Sequence, residues 1–205
     1  MKKRMTGVFA TLLLAASVSS ADATSINTGI STSISAFGET YSGASTYGQT
    51  FSLNPGDDTS LDSVSFYLND YVNPDYVDFA FYLYEWDGTK ITGNSLFTSG
   101  MMSTTGQSGY ETFTVNTGGV NLSTGTDYAF FVSATNFFDG SYGTGFMCGN
   151  AYNHYANGQF VFMFSGNDFS MLSTTGWELM FTDIDLAFEM QLSSSSQVPE
   201  PSTLL

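Results

Sequence analysis

Apolar and polar residues alternate along several stretches of the chain, and a period of two is typical of β-strands with one buried face. The clearest case is DIDLAFEMQ, where apolar residues at 184, 186, 188 and 190 alternate with polar residues at 183, 185, 189 and 191. Strand-like stretches earlier in the chain are QTFSL, SVSFYLN, YETFTVNT, DYAFFVSAT and QFVFMF. Turn sequences such as NPGDDTS and the pair Asp87-Gly88 separate them.

Helical periodicity is missing from the sequence after residue 23, since no apolar stretch there repeats every 3.6 residues. Parallel sheets need crossover connections, usually helices, so the strands are expected to pair antiparallel. We therefore predict one all-β domain over residues 24–192, built as an antiparallel two-sheet sandwich or jelly roll. A Ser-rich linker, SSSSQ, follows from residue 193.

The stretch YVDFAFYLYEW is apolar on both of its faces. Residues 77, 79, 81 and 83 form one apolar face, and the other carries Tyr82, Tyr84 and Trp86. Such a strand is either covered on both sides or leaves an aromatic strip open to solvent. An open strip would present flat rings on which sugars stack. Under that alternative, Tyr82, Tyr84 and Trp86 are the candidate glycan-binding residues.

The N-terminus has the three parts of a secretory signal peptide. Lys2, Lys3 and Arg4 precede an apolar run over residues 8–18, and ADA at residues 21–23 supplies small residues for cleavage. The apolar run is shorter than the roughly 20 residues that span a bilayer. We predict that residues 1–23 are a leader, that cleavage follows Ala23, and that the protein is exported.

Cleavage would leave a strongly acidic protein. Three of the 4 Lys and Arg residues and one of the 19 Asp and Glu residues lie in the leader, so the mature chain keeps Lys90 against 18 acids, a net charge of −17. Such a surface repels phosphates, which excludes nucleic acid as a partner and disfavours anionic lipids. Aromatic residues at 16% distinguish the chain from a disordered acidic tail.

Nucleophilic and metal chemistry have few candidate residues. The chain has one cysteine, Cys148, and one histidine, His154, and catalysis would require the two in contact. We interpret them as a packed cysteine and a loop histidine. Four Cys or His ligands for structural zinc do not exist here. Oxygens for calcium could come from Asp57, Asp58 and Asp62, or from the pair at 183 and 185, but no consensus loop spacing is present and turn chemistry uses the same residues. We predict no cofactor.

An enzymatic alternative rests on the acidic face of the last strand. Asp183, Asp185 and Glu189 loosely resemble the carboxylate strand of some jelly-roll glycoside hydrolases, which use a pair of carboxyl groups. The order and spacing differ from that family, whose pattern begins with Glu. We favour a solvated outer face, and therefore a protein that is not an enzyme.

The C-terminal sequence VPEPSTLL, after the Ser linker, resembles the start of the PEP-CTERM sorting signal of exported bacterial proteins. The resemblance implies that Pro199, Glu200 and Pro201 are recognised by exosortase, the family's membrane protease, which would be a partner. In that family a membrane helix and an arginine-rich tail follow. Here only Leu204 and Leu205 stand in that place, and we interpret residues 193–205 as a linker and a truncated sorting motif.

The body of the chain, over residues 49–190, is similar to β-sandwich domains found upstream of this signal. The shared texture includes FSLNPGDDTSLDSVSFYLN, FYLYEWDG and VNLSTGTDYAFFVS. That resemblance implies fold and export but no activity. The sequence thus favours an exported, non-enzymatic surface or extracellular-matrix protein with a neutral polysaccharide as its candidate ligand, and a carbohydrate-active hydrolase is the alternative.

Overall fold

The computed structural model describes residues 23–39, 43–70, 75–152, 155–179 and 184–194. These residues form thirteen strands and one helix of four residues. The strands are β1 (Thr24–Asn27), β2 (Thr32–Gly38), β3 (Thr46–Ser52), β4 (Ser60–Asp70), β5 (Asp78–Trp86), β6 (Ile91–Thr98), β7 (Met102–Ser103), β8 (Tyr110–Asn121), β9 (Asp127–Ser133), β10 (Thr144–Asn150), β11 (Phe160–Met163), β12 (Asp185–Leu186) and β13 (Phe188–Ser193). The helix α1 is Met171–Thr174, and no helix within the described ranges is long and apolar enough to cross a membrane.

The strands form two sheets, and the strands pair antiparallel within each. Sheet 1 has the order β1-β13-β4-β10-β12, with β2 also beside β10 and β8 also beside β4. Sheet 2 has the order β11-β3-β9-β5-β6, with β7 also beside β5. The prediction of an all-β, antiparallel two-sheet domain is confirmed.

Phenylalanine rings fill the space between the two sheets. Phe66 of sheet 1 stacks on Phe81 of sheet 2 with ring centroids 6.2 Å apart, and Phe130 of sheet 2 meets Phe188 of sheet 1 edge-on at 5.1 Å. These four rings are at most 1% exposed. Burial of each such side chain contributes roughly 1.5–3 kcal/mol to folding. Since the chain has one cysteine, core packing has to stabilise the sandwich without an internal disulfide.

Six predicted stretches coincide with the strands β3, β4, β5, β8, β9 and β11, and two departures stand out. The stretch DIDLAFEMQ is not one strand: β12 pairs with β10, whereas β13 pairs with β4 and β1, and Ala187 separates them. Strand β10, which contains GFMCGN, was not predicted because its two glycines hide the period of two. Gly149 is required there, since a Cβ would lie 2.7 Å from the backbone carbonyl oxygen of Asp185.

The two ends of the sandwich carry different parts of the chain. Thr24 pairs with Leu192, and Leu192 pairs with Leu61, so both chain ends of the domain lie at the end we call the terminal end. At the opposite end of β4, Asp70 pairs with Gly145, and Thr144 pairs with Gly38; we call this the distal end. Nine residues of strand at about 3.3 Å each put the two ends roughly 30 Å apart.

Candidate binding cleft

The aromatic strip on β5 is covered, not open. Tyr82 is 6% exposed and Trp86 is 7% exposed. Phe169 lies over Tyr82 with ring centroids 5.0 Å apart, and Trp177 meets Trp86 edge-on at 5.6 Å. The open-strip interpretation is therefore wrong for Tyr82 and Trp86, and the alternative, a strand covered on both sides, is confirmed for these positions. Tyr84 is half-buried and stacks on Phe131 at 5.8 Å.

Residues 165–179, which we call the covering segment, form this lid over the outer face of sheet 2. Trp177 is its anchor: the indole Nε1 donates to the Leu172 carbonyl at 2.8 Å, and the Trp177 amide donates to the Thr89 carbonyl at 2.8 Å. Asp168 starts the turn that leads into α1 by accepting from the Ser170 amide. Sheet 2 therefore has two buried faces, which explains why both faces of β5 are apolar.

A cleft of about 490 Å³ opens at the distal end of the sandwich. Three loops that are distant in sequence line it: the β2–β3 connection, the β9–β10 connection and the residues from 164 onward, which follow β11 and lead into the covering segment. The lining residues are Glu39, Gly43, Ser45, Phe138, Gly140, Ser141, Tyr142, Phe164, Gly166 and Asn167. Its volume is within the range typical of small-molecule sites.

Exposed aromatic rings are concentrated at the distal end, and three of them line this cleft. Phe138 is 38% exposed, Tyr142 is 45% exposed and Phe164 is 51% exposed. Tyr76 and Tyr110, also exposed, belong to the distal end, because residue 75 bridges to residue 143 and Tyr110 pairs with Asn69. Tyr152 alone among the exposed aromatic residues of the described chain lies elsewhere. Large apolar side chains grouped on a surface mark an interaction site.

A buried carboxylate stands beside these rings. Glu39 is 7% exposed, and its two oxygens accept from the Asp139 amide at 3.2 Å each. Asp139 in turn accepts from the Ser141 amide at 2.8 Å, and Gly140 between them has a φ of 98°, so a turn fixes the loop. Burial raises the pKa of Glu39, and the nearby charges of Asp139 and Asp75 raise it further, against the opposing effect of the hydrogen bonds.

Hydroxyl groups hold the three loops together under the cleft. The Ser45 and Ser165 hydroxyls lie 2.8 Å apart, and the Thr135 hydroxyl lies 2.8 Å from that of Ser165. Thr46 joins the cluster at 3.0 Å from Ser165 and 2.7 Å from Ser133. All five residues are at most 3% exposed. A fully bonded buried network of this kind gives the cleft a rigid floor.

The acidic face of the last strand is not the solvated face that the alternation predicts. Asp185 is fully buried and accepts from Gln49 Nε2 at 2.8 Å and from the Tyr155 amide at 3.0 Å. The expectation of a solvated Asp185 is therefore wrong: the carboxylate ties β12 to β3 of the other sheet. Glu189 is half-buried on β13, where it accepts from Gln191. Asp183 lies outside the described residues.

The remaining chemical candidates have structural partners. Cys148 is fully buried, and burial raises the pKa of its thiol to about 12, as expected for a packed cysteine; His154 lies outside the described residues. Asp57 accepts from the Asn54 amide in a turn, and Asp58 accepts from Thr24. In the described part of the chain no three His, Cys, Asp or Glu side chains are grouped to hold a metal ion.

Both sorting elements lie beyond the described ranges, namely residues 1–22 of the leader and the motif Pro199, Glu200 and Pro201. Their roles stay predictions. The cleft, by contrast, is described but was not predicted, because its residues come from three loops without periodicity. One signal was available: NFFDGSYG places Phe138 and Tyr142 in a turn-rich segment, where no strand alternation would bury them.

Comparisons with known proteins add little. No protein-family model matches the chain, and no curated protein matches it. Among solved structures, the chain is similar to the cysteine protease and lectin-like domains of Cwp84, a surface layer associated protein of Clostridium difficile, with a TM-score of 0.47 and 14% sequence identity. The alignment covers 73% of this chain and 32% of that chain, about a third of its length. A likeness at this level carries no conclusion about function.

Proposed function

We propose that this protein is an exported bacterial surface or extracellular-matrix β-sandwich protein whose distal-end cleft binds a neutral glycan without hydrolysing it. One observation carries the proposal: three exposed aromatic rings, Phe138, Tyr142 and Phe164, surround a cleft that also holds a carboxylate. Sugar rings have apolar C–H faces that pack on aromatic rings, and hydroxyls that donate to a carboxylate such as Glu39. Aromatic side chains provide large contact area for little loss of side-chain entropy.

The lack of free positive charge in the described part of the chain supports a neutral ligand. Lys90 is the sole lysine or arginine in the described part of the chain, and it forms an ion pair with Asp87 at 2.8 Å. The hydrogen bond from Lys90 is the largest of the contacts that lower the pKa of Asp87. Glu39, Asp139 and Asp75 lie at the distal end, so an anionic polysaccharide would be repelled there.

The position of the cleft suits display at a surface. Thr24 and Ser193 lie at the terminal end, roughly 30 Å from the distal end along the strands. A leader before residue 24 and a sorting motif after residue 193 would both leave the domain at the terminal end. We infer that export uses the leader, that exosortase acts on Pro199, Glu200 and Pro201, and that the cleft faces away from the attachment point.

The hydrolase alternative gains no support from the described residues. Asp185 is enclosed between the sheets and already accepts two hydrogen bonds, so it is not available to a polysaccharide. We therefore infer binding alone, and a test must measure hydrolysis as well as retention.

The proposal is tested by retention of the purified protein on insoluble neutral and anionic polysaccharides, with release of reducing ends followed in parallel. We expect retention on a neutral polysaccharide with a Kd from about millimolar to tens of micromolar, since few ring contacts give only about 4–6 kcal/mol. The double variant Phe138→Ala, Phe164→Ala should lose retention. Tyr152→Ala, which removes an exposed aromatic ring outside the distal end, is the matched control.

Equal retention of wild type and double variant, or equal loss in the Tyr152→Ala control, would reject the cleft as the glycan site. Release of reducing ends that stops in the double variant would replace a binding function with a catalytic one. Retention on anionic polysaccharides alone would contradict the charge argument.

A further inference from the structure

The first residue of β1 is hydrogen-bonded to a carboxylate from another part of the chain. The amide nitrogen of Thr24 donates to Asp58 Oδ2 at 3.0 Å, and the Thr24 hydroxyl donates to the same oxygen at 2.8 Å. These two contacts connect residues 34 positions apart, from the start of β1 to the β3–β4 turn. The contact lies at the very bond that we expect the leader peptidase to cut.

Hydrogen bonds within the β3–β4 connection close the turn that precedes Asp58. The Asp57 amide donates to the Asn54 carbonyl at 3.1 Å, and the Asn54 amide donates to Asp57 at 2.7 Å. Strand β1 is an edge strand, paired on one side with β13, where Gln191 also donates to the Ser25 hydroxyl at 3.1 Å. The carboxylate therefore caps the free end of an edge strand.

Cleavage changes the chemistry of this contact. Hydrolysis by the leader peptidase breaks the Ala23–Thr24 peptide bond with one water molecule: the hydroxyl goes to the Ala23 carbonyl carbon and the hydrogen to the Thr24 nitrogen. A proton then passes from the new acid to the new amine, which gives a carboxylate on the leader and an ammonium group on Thr24. A neutral amide with one N–H becomes a cation with three.

We propose that Asp58 is a docking site for the new N-terminal ammonium group of Thr24, so that removal of the leader creates an ion pair that fastens β1 to the β3–β4 turn. This inference rests on the proposed export and on cleavage after Ala23. The ion pair would hold β1 to the β3–β4 turn more strongly in the mature form than the neutral hydrogen bonds do in the precursor. Charge-assisted hydrogen bonds are shorter and stronger than neutral ones.

The surroundings of Thr24 favour a cation. The other titratable groups on the turn and the strand that contact β1 are Asp57, in the same turn as Asp58, and Glu189 on β13, which pairs with Asn27. Both are acidic. They should act with Asp58 to raise the pKa of the α-amino group above its ordinary value of about 7.7–8.0.

The pH dependence follows from that direction. A group with a raised pKa in the folded state contributes stability that is fully present below its unfolded pKa and is lost as pH rises through its folded pKa. The added stability of the mature form should thus be present at pH 6 and absent at pH 10.5.

The test compares the full chain isolated with its leader intact and the same chain after export and cleavage, each with and without Asp58→Asn. Intact mass identifies the N-terminus. At pH 6 we expect Asp58→Asn to lower the thermal midpoint by about 1–3 °C more in the cleaved form than in the precursor, as for an exposed ion pair in a protein of this size. At pH 10.5 the difference should vanish. Asp62→Asn removes a carboxylate from β4, which β13 separates from β1, and is the matched control.

A second measurement follows the amine directly. Acylation of the α-amine at pH 7.5 should be several-fold faster in Asp58→Asn than in wild type or in Asp62→Asn, because the freed amine is less protonated. The ion pair would be rejected if the exported protein begins at Thr24 but its amine reacts equally fast in wild type and Asp58→Asn, and Asp58→Asn lowers the thermal midpoint equally in the precursor and the cleaved form. The export proposal would not be affected by that result. An exported protein with any other N-terminus would overturn the cleavage site and this inference together.

Discussion

The molecule has two groups of aromatic side chains that differ in what lies over them. Tyr82 and Trp86 on β5 are covered by Phe169 and Trp177 of the covering segment, whereas Phe138, Tyr142 and Phe164 at the distal end are at least 38% exposed. The first group lies on a regular strand, and the second lies in loops. In this protein the aromatic residues of a regular strand are packed in the interior, whereas those in irregular segments are exposed and form the candidate ligand site.

The largest expected effect is on stability: removing the ring that covers the β5 aromatics should destabilise the protein far more than removing a ring of the cleft. Trp177→Ala should lower the free energy of unfolding by about 3–5 kcal/mol, because it leaves a cavity beside Trp86 and Phe131 and removes the anchor of the covering segment. Phe138→Ala, in the cleft, should cost under about 1 kcal/mol. Denaturant unfolding of both variants checks this. Equal losses would mean that the cleft rings are part of the core.

The second effect concerns the carboxylates of the last two strands. Asp185→Ala should lower the free energy of unfolding by about 2–3 kcal/mol, because Gln49 and the Tyr155 amide lose a charged acceptor in a buried position. Glu189→Ala removes a half-buried carboxylate from β13 and should cost about 0.5 kcal/mol or less. Denaturant unfolding again measures both, and a loss at Asp185 as small as that at Glu189 would contradict the buried link between the sheets.

Much of the fold follows from local alternation, and its failures have physical causes. The strands β4, β5 and β9 are predicted because each has an apolar face that must be buried. Whether the outer face of β5 is open to solvent is not encoded locally, because the covering segment that buries this face lies some 80 residues later and is anchored by Trp177. Alternation predicts two faces, and only tertiary packing says what covers each.

Asp185 shows the same limit for a charged residue. Alternation across residues 183–191 assumes one continuous strand, yet the chain changes partner at Ala187, and residues 185–188 are all buried. Gln49 and the Tyr155 amide, which accommodate the carboxylate, come from distant parts of the chain. The cleft likewise depends on three loops brought together by the hydroxyl cluster around Ser165, which no sequence pattern records.

A smaller effect concerns pH at the distal end. The pKa of Glu39 is raised above its ordinary value by burial, so the folded state holds its proton more tightly than the unfolded state. The cost of ionising Glu39 is absent below its unfolded pKa and complete above its folded pKa, so stability falls as pH rises through that window. Glu39→Gln keeps an oxygen to accept from Asp139 and should abolish this slope. Thermal midpoints of both proteins from pH 4 to pH 8 measure it, and parallel curves would contradict the burial of this carboxylate.

Glycan binding at the distal-end cleft is tested by a backbone amide chemical-shift titration with a soluble oligosaccharide of the neutral polysaccharide that retains the protein. We expect saturable shifts at cleft residues, among them Ser45, Gly140 and Asn167, with a Kd between about millimolar and tens of micromolar. Amides of β5 beside Tyr84 should stay unchanged. Saturable shifts along Tyr84 and its neighbours, with none at the distal end, would show that the glycan binds at β5 and not in the cleft.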